Sequence, residues 1–214
     1  MDPVILSAHV TPFAGCKIID IGCGSGIIPL ILGSRFTDVQ IIGVEIQSQL
    51  AEFAIQNTDQ NHLSDRIRIL NKDIRATTAF DTLGPADIVI SNPPYIKKNA
   101  GRLNPNLQKA IARHELKLEL SDFFSSAHRL LKPGGQILFI FPAQRLTDIF
   151  LAMQPLDFQL DWLRFIHTRQ KNNAGLVIVS GFKQGHGPCV IRPPLVVYDN
   201  KNNPTNEYAA MFKP

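Results

Sequence analysis

The chain has 214 residues, the size of a single domain with a sizeable core, since about 100–200 residues per domain is usual. A hydrophobic fraction of 44% beside a charged fraction of 19% excludes disordered, collagen-like and coiled-coil chains. The net charge of +4 is uneven: residues 1–92 carry six Lys/Arg against ten Asp/Glu, residues 93–118 six against one, and residues 119–214 ten against seven.

No run approaches the roughly 18 apolar residues of a membrane helix, and the start lacks the basic residues of a secretory signal, so no membrane partner and a cytoplasmic location are expected. Cys16, Cys23 and Cys189 are widely spaced and form no Cys-x-x-Cys or Cys/His cluster, so neither a disulfide framework nor a metal site is indicated.

In chain order, Cys16 to Ile21 and Gln40 to Ile46 read as strands, with a glycine-rich turn and an apolar helix from Ile27 to Phe36 between them. Gln47 to Gln60 suits a helix, Ile67 to Leu70 a third strand and Ala86 to Ser91 a fourth. A helix from Leu107 to Glu115 is followed by one from Ser121 to Leu131, which Lys132-Pro133-Gly134-Gly135 stops. Gln136 to Phe141 is a fifth strand, Gln144 to Met153 a helix, and Phe158 to Phe165 and Leu176 to Phe182 a closing pair. Strands alternating with helices predict an α/β, doubly wound, mostly parallel sheet, whose last pair lacks a helix between its members and is expected antiparallel. Such sheets bind ligands at the carboxyl ends of their strands, beside the switch point.

Asp20-Ile21-Gly22-Cys23-Gly24-Ser25-Gly26 ends the first strand. Glycines at alternate positions let the backbone turn tightly and approach a ligand. The third glycine of a dinucleotide fingerprint would fall on Ile27, which disfavours NAD. Glu45 ends the second strand, where a carboxylate can accept from both hydroxyls of an adenosine ribose, and Asp73 follows the third, where it can accept from an adenine amino group. The three acids together outline an adenosine site.

On Asp20 to Gly26, Glu45 and Asp73 the sequence resembles the class I S-adenosylmethionine-dependent methyltransferases. The resemblance implies a seven-stranded Rossmann-like sheet, S-adenosylmethionine as methyl donor, and Asp20, Gly22, Gly24, Gly26, Glu45, Asp73 and Asn92 as cofactor-binding residues.

The fourth strand ends in Ser91-Asn92-Pro93-Pro94-Tyr95. Two prolines fix backbone dihedrals and remove two N–H donors, so the turn presents carbonyls and the Asn92 side chain in a rigid, acceptor-rich arrangement. That suits a planar amine: acceptance of its two N–H bonds by Asn92 and the Pro93 carbonyl aims its lone pair at a methyl carbon, while Tyr95 stacks on its ring. The turn is similar to that of amino methyltransferases acting on adenine, cytosine or a glutamine amide, and implies Asn92, Pro93, Pro94 and Tyr95 as the catalytic set.

Asn104-Pro105-Asn106, Ala110 to Glu115 and Arg192 to Tyr198 narrow the resemblance to the bacterial adenine-N6 methyltransferases that modify an anticodon-loop adenine of a valine tRNA. It covers nearly the whole chain, read as one methyltransferase domain, although the family has a further segment before the part resembled by Asp2 to Leu6. Lys97, Lys98, Arg102, Lys109 and Arg113 then lie where an RNA backbone would pass, and an anticodon loop gives up a base at small unstacking cost. A glutamine methyltransferase of release-factor type shares the turn but has a helical substrate domain ahead of it. DNA adenine methylation would need room for a sequence-reading domain. A non-catalytic RNA-binding module has no chemical need for Asn92 to Tyr95. Neither the sequence nor the resemblance indicates an oligomeric state.

Overall fold

A computed structural model describes residues 1–93 and 119–213. The expected helix Leu107 to Glu115, like Pro94, Tyr95, Lys97, Lys98, Arg102, Lys109 and Arg113, lies outside the described residues.

Strands β1 (Cys16–Ile21), β2 (Val39–Glu45), β3 (Ile67–Asn71), β4 (Ala86–Ser91) and β5 (Leu131–Pro142) run parallel, and β6 (Phe158–His167), β7 (Leu176–Lys183) and β8 (Val190–Val196) complete one sheet ordered β3-β2-β1-β4-β5-β7-β6-β8. The order reverses between β1 and β4, which makes their carboxyl ends the switch point. As the missing helix between them predicts, β6 and β7 pair antiparallel.

Consecutive residues of the central strands are buried on both faces. Ile18, Ile88, Ile90, Leu138 and Ile178 pack with Leu6 of α1 (Asp2–Ser7) and Leu32 of α2 (Ile27–Arg35). Ile19, Val89, Phe139 and Val179 pack with Phe123, Phe124, Ala127 and Leu130 of α4 (Leu120–Leu130) and Ile149 of α5 (Leu146–Met153). This two-sided burial is why these strands read as unbroken apolar runs rather than as alternations. Helix α3 (Ser48–Gln60) lies against β2 and β3, and the short α6 (Asn206–Ala210) follows β8. Helix α4 stops where Lys183 Nζ donates to the carbonyls of His128 (2.7 Å) and Leu131 (3.0 Å), which supplies donors to the otherwise unpaired end of the helix.

Where the resemblance implies seven strands, the described residues form a sheet of eight. Proline removes a ladder donor and is confined to edges and bulges, and β8 satisfies both conditions: it is the outer strand, and the register jumps from Arg164↔Arg192 to Ile166↔Leu195, so three residues of β8 oppose two of β6 around Pro193 and Pro194. Strand β8 runs parallel to β6. Arg164 Nε donates to the Pro193 carbonyl (3.0 Å), and the Arg192 guanidinium sits 3.7 Å over the Trp162 ring.

Candidate functional site

The glycine turn hangs from the end of β2. The N–H groups of Gly22 and Cys23 donate to the Val44 carbonyl (2.8 and 3.2 Å), and that of Gly24 donates to Glu45 Oε2 (2.9 Å). Gln47 N–H donates to Glu45 Oε1 (2.9 Å), so both carboxylate oxygens are oriented by backbone donors. Gly26 caps α2 at φ 87°, and a Cβ there would lie 3.2 Å from Ala54 Cβ. This glycine therefore serves both a left-handed turn and close packing of the loop on α3. Among the described residues, a Cβ at Gly22 or Gly24 would meet nothing within 4 Å.

Asp20 lies beneath this turn, 1% exposed, and neither of its carboxylate oxygens has a hydrogen-bond partner among the described residues. Burial, and then the Glu45 carboxylate beside it, push its pKa up to about 8. Taking a carboxylate out of water without a donor is costly, so the fold holds an acid that wants either a proton or a cation.

Ser91 Oγ donates to the Ile21 carbonyl at 2.7 Å, fastening the end of β4 to the start of the glycine turn. The β1–β4 register pairs Asp20 with Ile90, and Asn92 follows directly on the end of β4, the strand next to β1. Pro93 is buried and Asn92 half-buried.

Asp73 is differently placed from the open acceptor expected of it. Its Oδ1 accepts from the Arg75 N–H at 2.9 Å, which caps the turn Ile74–Ala76, and both oxygens face the Arg75 guanidinium, the shortest approach being 2.6 Å. That pairing holds the Asp73 carboxyl below its usual pKa. Arg129 of α4 ties the same turn down by donating to the carbonyls of Ile74 (2.9 Å) and Thr77 (3.2 Å). Sequence reasoning passed over Arg75 and Arg129. Only Arg75 had a local signal, an Asp-x-Arg spacing able to close on itself.

A cavity of about 500 Å³ beside the amino-terminal halves of β1 and β2, lined by Lys17, Gln40 and Arg66, contains none of the described candidate residues. Among the described residues no cluster of His, Cys, Asp and Glu could hold a metal ion, and no helix is long and apolar enough to cross a membrane.

A buried acid under a glycine turn at the switch point, with a second acid ending the next strand, is the architecture of a nucleotide-cofactor transferase, and a family model described as "Methyltransferase domain" matches residues 12–180. The tRNA1(Val) (adenine(37)-N6)-methyltransferase of Phocaeicola vulgatus is 32% identical over 212 residues, 99% of this chain and 87% of that protein. That of Porphyromonas gingivalis is 37% identical over 156 residues, covering 70% of this chain and 60% of the relative. The chain therefore belongs to the methyltransferase domain family, and within it to the family of these tRNA1(Val) adenine-N6 methyltransferases. It spans only about half to three fifths of the length of some of the curated relatives it matches. The fold is also that of a predicted O-methyltransferase from Agrobacterium tumefaciens (TM-score 0.78, 22% identity, 99% of this chain and 95% of that one). TrmN from Thermus thermophilus matches at a TM-score of 0.58 and 22% identity, over 84% of this chain and 47% of that one.

Proposed function

We propose that this chain methylates the exocyclic N6 amine of an adenine in RNA, the anticodon-loop adenine of a valine tRNA, with S-adenosylmethionine as donor. The observation that carries the reading is the juxtaposition at the switch point: a buried acid unpartnered among the described residues and a glycine turn, with Asn92 one strand away. The names of the relatives supply the substrate.

The residues present fit S-adenosylmethionine. Asp20, unpartnered among the described residues, matches a ligand carrying positive charge, Gly22 and Gly24 admit a close backbone approach, and Glu45, held by two N–H groups, keeps lone pairs for ribose hydroxyls. When bound, S-adenosylmethionine supplies an electrophilic methyl group on a sulfonium. Asn92 and the Pro93 carbonyl hold the amine by its N–H bonds and turn its lone pair toward that group. With that group bound, an N–C bond would form at the expense of the C–S bond, the sulfur keeping the electron pair, and the methylated nitrogen, acidified by its charge, would release its proton to solvent. Pro94 and Tyr95 complete the same turn as part of this proposal, and Lys97, Lys98, Arg102, Lys109 and Arg113 its RNA contacts.

The test is mass spectrometry of nucleosides from tRNA treated with the protein and labelled S-adenosylmethionine. Labelled N6-methyladenosine is the expected product. Label recovered only in protein glutamine, or no transfer despite RNA binding, would refute the reading.

The cofactor side makes a paired prediction. Glu45→Ala should weaken S-adenosylmethionine binding at least tenfold by calorimetry, because it removes charge-assisted bonds worth roughly 1.5–3 kcal/mol each and strands the N–H groups of Gly24 and Gln47. Arg75→Ala should not weaken it. The Arg75–Asp73 pair is partly exposed, so freeing Asp73 should tighten binding by at most about fivefold, matching the ~1 kcal/mol ceiling of such pairs. A tenfold loss on Arg75→Ala would mean that the guanidinium itself holds the cofactor.

A further inference from the structure

The register of the sheet carries the level of the candidate site sideways across its second half. Ser91 pairs with Phe139, which places Asn92 level with Ile140, and Ile140 pairs with Ile178, Ile178 with Arg164, and Arg164 with Arg192. Beyond that level the β6–β7 connection, residues 168–175, and the turn after β8, residues 198–203, both project from the end of the sheet that bears the glycine turn. Residue 175 lies three positions past Ile178, a rise of roughly 10 Å at 3.3 Å per residue, and β8 stands four strands from β4, roughly 19 Å away. The two tips form a raised wall on one side of the site.

The wall is preassembled. Tyr198 N–H donates to the Thr168 carbonyl (3.0 Å) and Val197 N–H to that of His167 (2.9 Å). Arg169 donates to the Asn202 amide oxygen, and His167 Nδ1 bonds the Asn172 carbonyl (2.7 Å). Its exposed side chains are polar: Thr168, Arg169, Gln170, Lys171, Asn172 and Asn173 on one tip, with Asn200, Lys201, Asn202 and Asn203 on the other. Asp199 is the one acid in the two tips against Arg169, Lys171 and Lys201, and its Oδ1 accepts from the N–H groups of Lys201 (2.8 Å) and Asn203 (2.9 Å). Lys171 and Lys201 pair with no acid among the described residues.

We propose that this wall is a second RNA-binding surface, which grips the phosphate backbone flanking the target base while the Asn92 turn takes the base. The inference rests on the RNA-methylating reading above. Lys, Arg, Asn, Gln and Thr are the side chains that contact phosphates and sugars, whereas a protein partner would look for an apolar or aromatic centre, which the exposed residues of the tips lack. Because the tips are already fastened to each other, little ordering cost opposes binding.

The test is Lys171→Glu/Lys201→Glu, which spares Arg169 because its guanidinium holds the two tips together. Its affinity for an RNA hairpin carrying an adenine in a single-stranded loop is measured across a salt series. Two lost phosphate contacts should flatten the log–log salt slope by about 1.4–1.8 and raise the Kd at least tenfold near 0.1 M salt. Tm, S-adenosylmethionine affinity and the single-turnover rate at saturating RNA should be unchanged. A slope and Kd equal to those of the parent protein, in a parent that methylates RNA, would overturn the wall and leave the proposed function intact. A parent that yields no N6-methyladenosine would overturn the function itself.

Discussion

Asn92→Ala is expected to bind S-adenosylmethionine and RNA with near-parental affinity and to react about a hundredfold more slowly or worse in a single turnover with both partners saturating. The strand end that carries Asn92 is held by the Ser91–Ile21 bond and by buried Pro93, so truncation at this half-buried position should leave the fold in place. The amide oxygen proposed as acceptor is matched to an amine that pyramidalises as it reacts, and an interaction strengthened in the transition state appears in rate rather than in affinity. Removal of one preorganised polar group of this kind typically costs 10²–10³ in rate. Quenched-flow measurement of methyl transfer reads the effect directly. A rate within a few-fold of the parent would remove Asn92 from the chemistry, and an equal loss in RNA affinity would make it a binding residue.

The sheet was legible because its strands obey the rule that two-sided burial writes as an apolar run: Ile18-Ile19, Ile88 to Ile90 and Leu138 to Phe141 needed no tertiary information. Strand β8 was not legible, because Pro193-Pro194 is a stop signal in any local reading. Its place in the sheet is decided by nonlocal facts, an outer edge where missing donors cost nothing and a partner strand that tolerates the bulge. Helix α1, too short to show a period, is held by the core through Ile5 and Leu6.

In the candidate site, sequence placed the acids at the correct strand ends but could not tell their states apart. Asp20, Glu45 and Asp73 read alike as strand-end carboxylates, yet one is sealed without a partner among the described residues, one is clamped by two backbone donors and one is paired to an arginine two residues on. These differences come from where the β2 end and the β3–β4 connection pack, which spacing does not encode. Arg129 is the clearest case: its partners, Ile74 and Thr77, are more than fifty residues away.

Asp20→Asn should separate folding from cofactor capture. With its pKa raised to about 8, against about 3.9 in an unfolded chain, Asp20 binds more protons folded than unfolded across that interval. Stability of the cofactor-free protein therefore falls as pH rises from about 4 to about 8 and levels off above. Below pH 4 the carboxyl is neutral in both states and costs nothing extra. At neutral pH the linked cost is about 4 kcal/mol. An amide also buries polar atoms, so the substitution should recover about half, ~2 kcal/mol, or roughly 4–8 °C of Tm for a chain of this size. Asn does not titrate, so the same linkage makes Asp20→Asn the less stable of the two by ~2 kcal/mol near pH 4, with the two curves crossing in between and diverging toward pH 8. Cofactor affinity should move the other way, because a ligand bearing a sulfonium and an ammonium group gains from the ionised acid that the empty fold resists. Calorimetry at pH 8 should show at least a tenfold loss in Asp20→Asn, and the parent's tightening of binding with rising pH should be flattened. A Tm difference that is constant with pH would mean that Asp20 does not titrate in this range. An unaltered affinity would mean that its burial serves the fold and not the ligand.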